Sequence, residues 1–380
     1  MDADEVKEKA QGASQLARLA DPRLAKYARI ANMAAQKKLA NLPKNPSSLV
    51  DKQFKSLHKM VEVSRNRPTG LDGLMGKLVE LQLYMDGIAE SGATSESAFE
   101  ASVTRMQMSS KDPIGLLSIA SRQYPEPVRR WVKSIVDQSW QLLLLEAKKH
   151  IDKEYTLTIK SFYAESLKAR YPLDKDAQEE VTLDDFSQFF KPKGIEQRYF
   201  DQFIAAFVDV THKPWRLKKA AGKRLPMSRR AIEQFERASE IRQVFFSDGD
   251  KPTVNFSLKA QSLDANVSRF DFDFLGERFS YRHGPAKKYQ VEWPGDQEQT
   301  DIRFEFEDYY GLRTGDGAEG VWSLFRFVDD YPLKKSRYAN KYQLVMEKEG
   351  KKAVFEVTVD KAINPFALDY LSDYQSLNHL

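Results

Sequence analysis

RFDFDFLGERFSYRHGPAKKYQVEWPG, residues 269–295, decides the fold. Phe270, Phe272 and Phe274 alternate with Asp271 and Asp273. After Gly276, Phe279 and Tyr281 alternate with Ser280 and Arg282, and after Gly284-Pro285, Tyr289, Val291 and Trp293 alternate with Gln290 and Glu292. Successive side chains of a strand point to opposite faces, so this period of two sets rings on one face and charges on the other. Three such runs joined by short Gly/Pro turns predict an antiparallel meander whose aromatic face must be covered.

The same period extends on either side. Val254, Phe256, Leu258 and Ala260 read as a strand, as do Ile302, Phe304 and Phe306. Tyr342, Leu344 and Met346 with Phe355, Val357 and Val359 read as a hairpin around Lys348-Glu349-Gly350. Seven short strands with turn signals predict a β-sandwich over residues 248–362, with 363–380 as a tail. Within it, GVWSLFRFVDD (Gly320 to Asp330) predicts a short helix that plugs one end.

Upstream the period is helical. Residues 1–172 predict a helical bundle. Leu24, Tyr27, Ile30 and Met33 follow an Asp21-Pro22 start, and further helices cover Gln53–Arg65, Leu74–Met85, Ser95 or Ser97 to Met106, and Ile114–Ser121. A long helix opens at Pro127, with Val128, Trp131, Ile135, Trp140 and Leu143 as its apolar stripe and a break near Lys153-Glu154. Residues 181–246 form a second helical section, with Thr182 capping a helix that buries Phe186, Phe189 and Phe190, and Ser228 capping one that carries Phe235 and Phe246. The fold class is therefore α+β and multidomain, a helical bundle or stalk followed by a β-sandwich-like domain with an inserted short helix.

Composition narrows the functions. In 380 residues, 59 basic groups against 55 acidic ones leave +4, too mild a charge to point to nucleic acid. With no cysteine, thiolate metal sites, nucleophiles and disulfides are excluded. No apolar run approaches the length of a membrane span, and the charged MDADEVKEKAQ start has no signal-peptide core. The reading is of a piece of a longer protein, with Met1 an added start.

No motif carries chemistry. Gly70 to Leu78, GLDGLMGKL, resembles a phosphate-binding loop superficially, but its first glycine is one residue too far from Gly76-Lys77 and Leu78 stands where Ser or Thr holds magnesium. The histidines at 58, 150, 212, 283 and 379 show no metal-ligand spacing. The pairs Asp184/Asp185, Asp329/Asp330 and Glu179/Glu180 read as cap and loop carboxylates. No catalytic, cofactor or metal residue is assigned. Lys213 to Arg230 carries eight basic residues and no acidic one, which fits either an anionic partner or a solvated loop. If a rigid sheet displays loops for recognition, the candidates are Asp248 and Asp250; Tyr309, Tyr310 and Arg313; and Tyr331, Arg337 and Tyr338.

Three collinear segments resemble the C-terminal region of the IcmF/TssM family of type VI secretion systems. They are the Phe-rich pair of helices from Val181 to Phe207, the run FERASEIRQVFF from Phe235 to Phe246, and the stretch from His283-Gly284-Pro285 through Trp293-Pro294-Gly295 to Trp322, Leu324, Phe325 and Arg326. Asn364-Pro365-Phe366 follows, while the family's Gly-Pro-Trp-Ala is Gly320-Val321-Trp322-Ser323 here and its cysteine-containing ending is absent. The resemblance implies the periplasmic part of an inner-membrane protein that binds the outer-membrane lipoprotein TssJ through its β domain, alongside TssL and further TssM copies. It implies structural roles for Phe186, Phe190, Phe235, Phe246, Trp293, Trp322, Phe325 and Arg326, the last pairing with Asp329 or Asp330. Two other readings stay open: an envelope enzyme or peptidoglycan-binding module with a cleft between helices and sandwich, and a cytosolic adaptor that binds anions through residues 213–230.

Overall fold

The computed structural model describes residues 47–62, 70–107, 111–295, 300–338, 340–359, 364–367 and 369–380. The expected helix around Leu24 to Met33 lies outside them. The described residues fall into two compact units, those up to residue 80 with 120–130, and those of 81–119 with 131–380. The first holds α1 (Ser47–Val61) and the opening turns of α2 (Gly70–Ala89), with Met60 and Leu74 buried. The glycine-rich 70–78 run is thus the start of a helix, not a loop wrapped around a phosphate, and from residue 74 on its N–H groups are taken up by the helix ladder.

The second unit continues with α3 (Thr94–Gln107), most of α4 (Pro113–Ser121), and α5 (Val128–Tyr155) from Trp131 on. Here the expected stripe needs correction. α5 buries Val132, Val136, Trp140, Leu143, Leu144 and Ala147, whereas Trp131 and Ile135 are 61% and 39% exposed. Both sets recur at helical spacing, so periodicity admitted either and packing against the rest of the unit chose one. Nor is there a break at Lys153-Glu154, because α5 runs directly into π-helical turns at Thr156–Lys160 and Tyr163–Leu167. α6 (Leu183–Phe190) starts where Thr182 Oγ1 accepts the Asp185 N–H. After the 191–194 turn come α7 (Ile195–Tyr199) and a further π turn, Phe200–Ile204. A two-residue pair, β1 (Val208–Asp209) with β2 (Arg216–Leu217), precedes α8 (Arg229–Phe245), where Ser228 Oγ accepts the Ala231 N–H.

The sandwich has one sheet in the order β6-β3-β11-β10-β9 and another in the order β5-β4-β7-β8. Their strands are β3 (Val254–Leu263), β4 (Val267–Phe274), β5 (Glu277–Tyr281), β6 (Lys288–Trp293), β7 (Ile302–Asp308), β8 (Arg313–Ala318), β9 (Lys334–Lys335), β10 (Lys341–Lys348) and β11 (Lys351–Val359). All seven expected strands form, but the three-strand meander does not. β4 and β5 make a hairpin, while β6 crosses to the other layer and pairs with β3. Alternation is the same whichever sheet a strand joins, so the pattern could not assign β6 to a layer.

Rings fill the space between the sheets. Phe270 and Phe272 of β4 lie 5.4 and 6.0 Å from Phe355 of β11, and Phe256 of β3 meets Phe274 at 5.7 Å. The inserted helix, α9 (Ser323–Asp330), sends Phe327 into the same core against Phe272 and Phe304. Beyond the sandwich the chain returns to the helices. α10 (Asp369–Ser372) leads into a segment that buries Tyr374 against Phe189 and Phe190. Gln234 of α8 holds that segment, donating to the Asp373 carbonyl and accepting the Gln375 N–H, while Tyr155 Oη accepts the Leu377 N–H.

Candidate docking surface

Strand direction separates the two ends of the sandwich. β3 begins, and β4, β6 and β11 finish, at the end nearest α8 and α9; the β3–β4, β7–β8 and β10–β11 turns lie at the other.

At the near end, aromatic rings join helices to sheet. Phe186 of α6 packs on Phe245, Phe246 and Trp322 at 5.2, 5.8 and 5.0 Å. Trp293 closes the set from β6, 4.9 Å from Trp322 and 5.0 Å from Phe325. Each indole is both buried and satisfied, as burial demands. Trp322 Nε1 donates to the Val181 carbonyl at 2.6 Å and Trp293 Nε1 to the Val321 carbonyl at 3.0 Å. Phe190 lies beside this group, stacked edge-on with Tyr374, and Phe235 lies farther back against Tyr199 and Phe200.

Arg326 does not pair with Asp329 or Asp330. Its Nε donates to Glu180 at 2.9 Å, and its guanidinium sits 4.0 Å over the Tyr171 ring. Asp329 instead accepts the Tyr171 hydroxyl at 2.8 Å. On a helix the arginine and an acid three or four residues on share a face, but here that acid is taken up by Tyr171 while Glu180 arrives from the segment before α6. Gly320, at φ +98°, makes room for this pair, since a Cβ there would stand 2.6 Å from a Glu180 carboxylate oxygen.

The far end is built differently. Asp308 closes β7 and organises the turn to β8: its carboxylate accepts the N–H groups of Tyr310 and Leu312, both at 2.9 Å, and pairs with Lys351 at 3.3 Å. Its own N–H donates to the Leu312 carbonyl at 3.1 Å. Burial opposes ionisation of this carboxyl, yet those N–H donors and the ammonium hold it below its ordinary range. Gly311 turns the chain at φ +82°. The result is a braced turn that presents Tyr309, Tyr310 and Leu312 to solvent at 67%, 98% and 60% exposure. Leu312 and Asp308 were missed in the sequence, although an aspartate three residues before a glycine is a turn signal.

The three predicted loops are not one surface. Tyr309, Tyr310 and Arg313 lie at the far end, where Arg313 pairs with Glu305 and Glu307 at 3.4 and 3.3 Å. Asp248 and Asp250 lie between α8 and β3, and Arg337 and Tyr338 between β9 and β10, all exposed and all toward the near end. Tyr331 is bound inward, its hydroxyl donating to Asp316 at 2.9 Å, and burial with that carboxylate pushes its pKa up.

The basic stretch is largely occupied. Lys213 pairs with Glu240, Arg229 with Glu233, and Arg230 donates to Gln375; Lys218 and Lys223 donate to the Ala205 carbonyl and to Gln141. Trp140 Nε1 donates to the Ala220 carbonyl in its middle, so the stretch is pinned to α5. Among the described residues no cluster of acidic or histidine side chains is arranged to hold a metal ion, and no helix is long and apolar enough to cross a membrane.

Comparison with known proteins follows this division of the chain. Residues 146–251 match the type VI secretion protein IcmF helical domain and residues 256–361 its C2-like domain. The type VI secretion system component TssM1 of Pseudomonas aeruginosa strain PAO1 is 26% identical over 332 residues, 86% of this chain and 30% of that relative. The chain thus spans about a third of the length of the curated relative it matches. In fold it is similar to a chain of a type VI secretion system membrane core complex (TM-score 0.71, 15% identity, 96% of this chain and 76% of that one). It is also similar to the TssM C-terminal domain from EAEC (TM-score 0.56, 14% identity, 62% and 98%).

Proposed function

Because the chain belongs to the C-terminal region of the IcmF/TssM family of type VI secretion proteins, we propose that it is a non-catalytic component of the secretion membrane complex, a periplasmic scaffold that docks the outer-membrane lipoprotein TssJ through its sandwich. TssL and further copies of the protein are its other partners in this reading. One observation carries it: the Asp308-braced turn holds Tyr309, Tyr310 and Leu312 out in solvent at the end of the sandwich away from the helices. A preorganised aromatic turn loses little freedom on binding, and tyrosines are prominent among residues that dominate interfaces.

The rival reading needs a cleft with free carboxylates between helices and sandwich. That ground is filled by Phe186, Phe245, Trp293, Trp322 and Phe325, and its acids Glu180 and Asp329 are engaged by Arg326 and Tyr171. The test is titration of purified TssJ-type lipoprotein onto the whole chain. Replacing Tyr309 and Tyr310 together by alanine is expected to weaken binding at least tenfold, by roughly 1.4 kcal/mol or more. Unchanged affinity would remove the turn from the interface.

A further inference from the structure

The sandwich's lateral edges are unequal. β9 is a pair of exposed lysines, and β8 carries two glycines, which give a partner strand no side chains to pack on. β5 and β6 lie side by side at the remaining edge, with Phe279 and Tyr289 4.2 Å apart between them. Among the described residues no strand pairs with the outer side of β6, a regular six-residue strand without bulge or proline. An open edge of that kind is a template for another strand.

Its sequence says which strand. Lys288-Tyr289-Gln290-Val291-Glu292 has its cation at one end and its anion at the other, both on the solvent face and both exposed. Laid antiparallel on itself and centred on Gln290, it sets Lys288 opposite Glu292 twice, Tyr289 opposite Val291 twice, and Gln290 opposite Gln290. The neighbouring edge strand has no such complement, because β5 on itself sets Glu277 against Tyr281 and Arg278 against Ser280.

A second observation points the same way. In the β3–β6 register Lys259 stands directly opposite Lys288, a like-charge pair that costs stability. Among the described residues neither lysine, nor Glu292, has an ion-pair partner. A carboxylate from beyond the edge would relieve both ammonium groups.

We propose that β6 pairs edge to edge with β6 of a second copy of this chain, in twofold register on Gln290, so that two five-stranded sheets become one continuous sheet. The contact is self-complementary, as a twofold interface requires. It is small, so it acts weakly between free molecules and becomes effective where copies are tethered side by side.

Sedimentation equilibrium of the whole chain, at concentrations up to roughly 1 mM to reach an interface of this size, tests the idea. The wild type is expected to dimerise. Lys288→Glu and Glu292→Lys each turn both cross-strand pairs repulsive and should weaken the dimer on the order of tenfold. Mixing the two single variants opposes a carboxylate to an ammonium at both pairs again, so the mixture should form a heterodimer tighter than either homodimer. The double exchange should likewise recover the wild-type constant. A wild type that stays monomeric overturns the proposal, as does dimerisation insensitive to either exchange or a mixture no tighter than its parts. Both sites are exposed, and a cooperative unfolding transition in each variant shows that it is folded. Lipoprotein binding at the Tyr310 turn is read separately and is unaffected by either result.

Discussion

The two ends of the sandwich use the same side chains for opposite purposes. Near the helices, Trp293, Trp322 and Phe325 are fully buried, packed edge-on or tilted against Phe186 and Phe245, with both indole N–H groups spent on carbonyls. Far from them, Tyr309 and Tyr310 stand in water on a turn held by one aspartate. Ring content alone therefore says nothing about role. What separates cement from display is whether a second element arrives to cover the ring, and at the near end α6, α8 and α9 all do.

The sharpest way to break this contrast is to remove one ring from each end. Trp322→Ala empties a fully packed position and strands the Val181 carbonyl, so a loss of about 3–5 kcal/mol is expected in urea unfolding. A loss under about 1 kcal/mol would mean that the junction is not packed as described.

Behind the junction, Glu196 sharpens the picture through pH. It is buried beside Arg242, whose Nε also donates to the Phe190 carbonyl. Burial pushes the carboxyl up to about 7 against the smaller opposing pull of Arg242. A folded-state value above the ordinary carboxylate range means that the folded protein holds the proton more tightly. The stabilisation it brings is whole below about pH 4.5 and lost as pH rises through about 7, by up to about 3 kcal/mol. Glu196→Gln should remove that dependence, so unfolding midpoints at pH 5 and pH 8 should lie closer together in the variant. An unchanged pH slope would mean that Glu196 titrates normally.

Gly320→Ala tests the Arg326–Glu180 pair without touching either charge. A positive φ and a methyl against the carboxylate should cost about 2 kcal/mol by the same unfolding measurement. Arg326→Lys in addition should then add less than it does alone, because the pair is already displaced. The smallest effect belongs to the far end. Tyr310→Ala should leave stability within about 0.5 kcal/mol of wild type, since nothing covers the ring. A larger loss would show that the turn is part of the core.

Much of this was legible. Period-two runs marked seven strands because residues such as Phe270, Phe272 and Phe274 must share a face, and Thr182 and Ser228 marked helix starts because a side-chain oxygen there satisfies a free N–H. β8 was invisible. Arg-Thr-Gly-Asp-Gly-Ala has no apolar alternation, and its glycines are required by contact: a Cβ at Gly315 or Gly317 would strike the carbonyl of Phe304 or Ile302 on β7. Such a strand exists because its neighbour does. The candidate docking loops were legible as turn regions and illegible as a surface, because sequence does not say at which end of a sandwich a turn emerges.

By itself, the sequence determined seven of the sandwich strands and the buried faces of α6 and α8, because periodicity and capping act over a few residues. Through three collinear motifs it also determined the family resemblance. Only the tertiary structure decided that β6 crosses to the other sheet, that Arg326 takes Glu180 instead of its helical neighbours, that α5 buries Val132 and Val136 in place of Trp131 and Ile135, and that the tail returns to bury Tyr374. Each is a choice between partners equally acceptable to the local pattern, settled by which surface is left uncovered once the layers close.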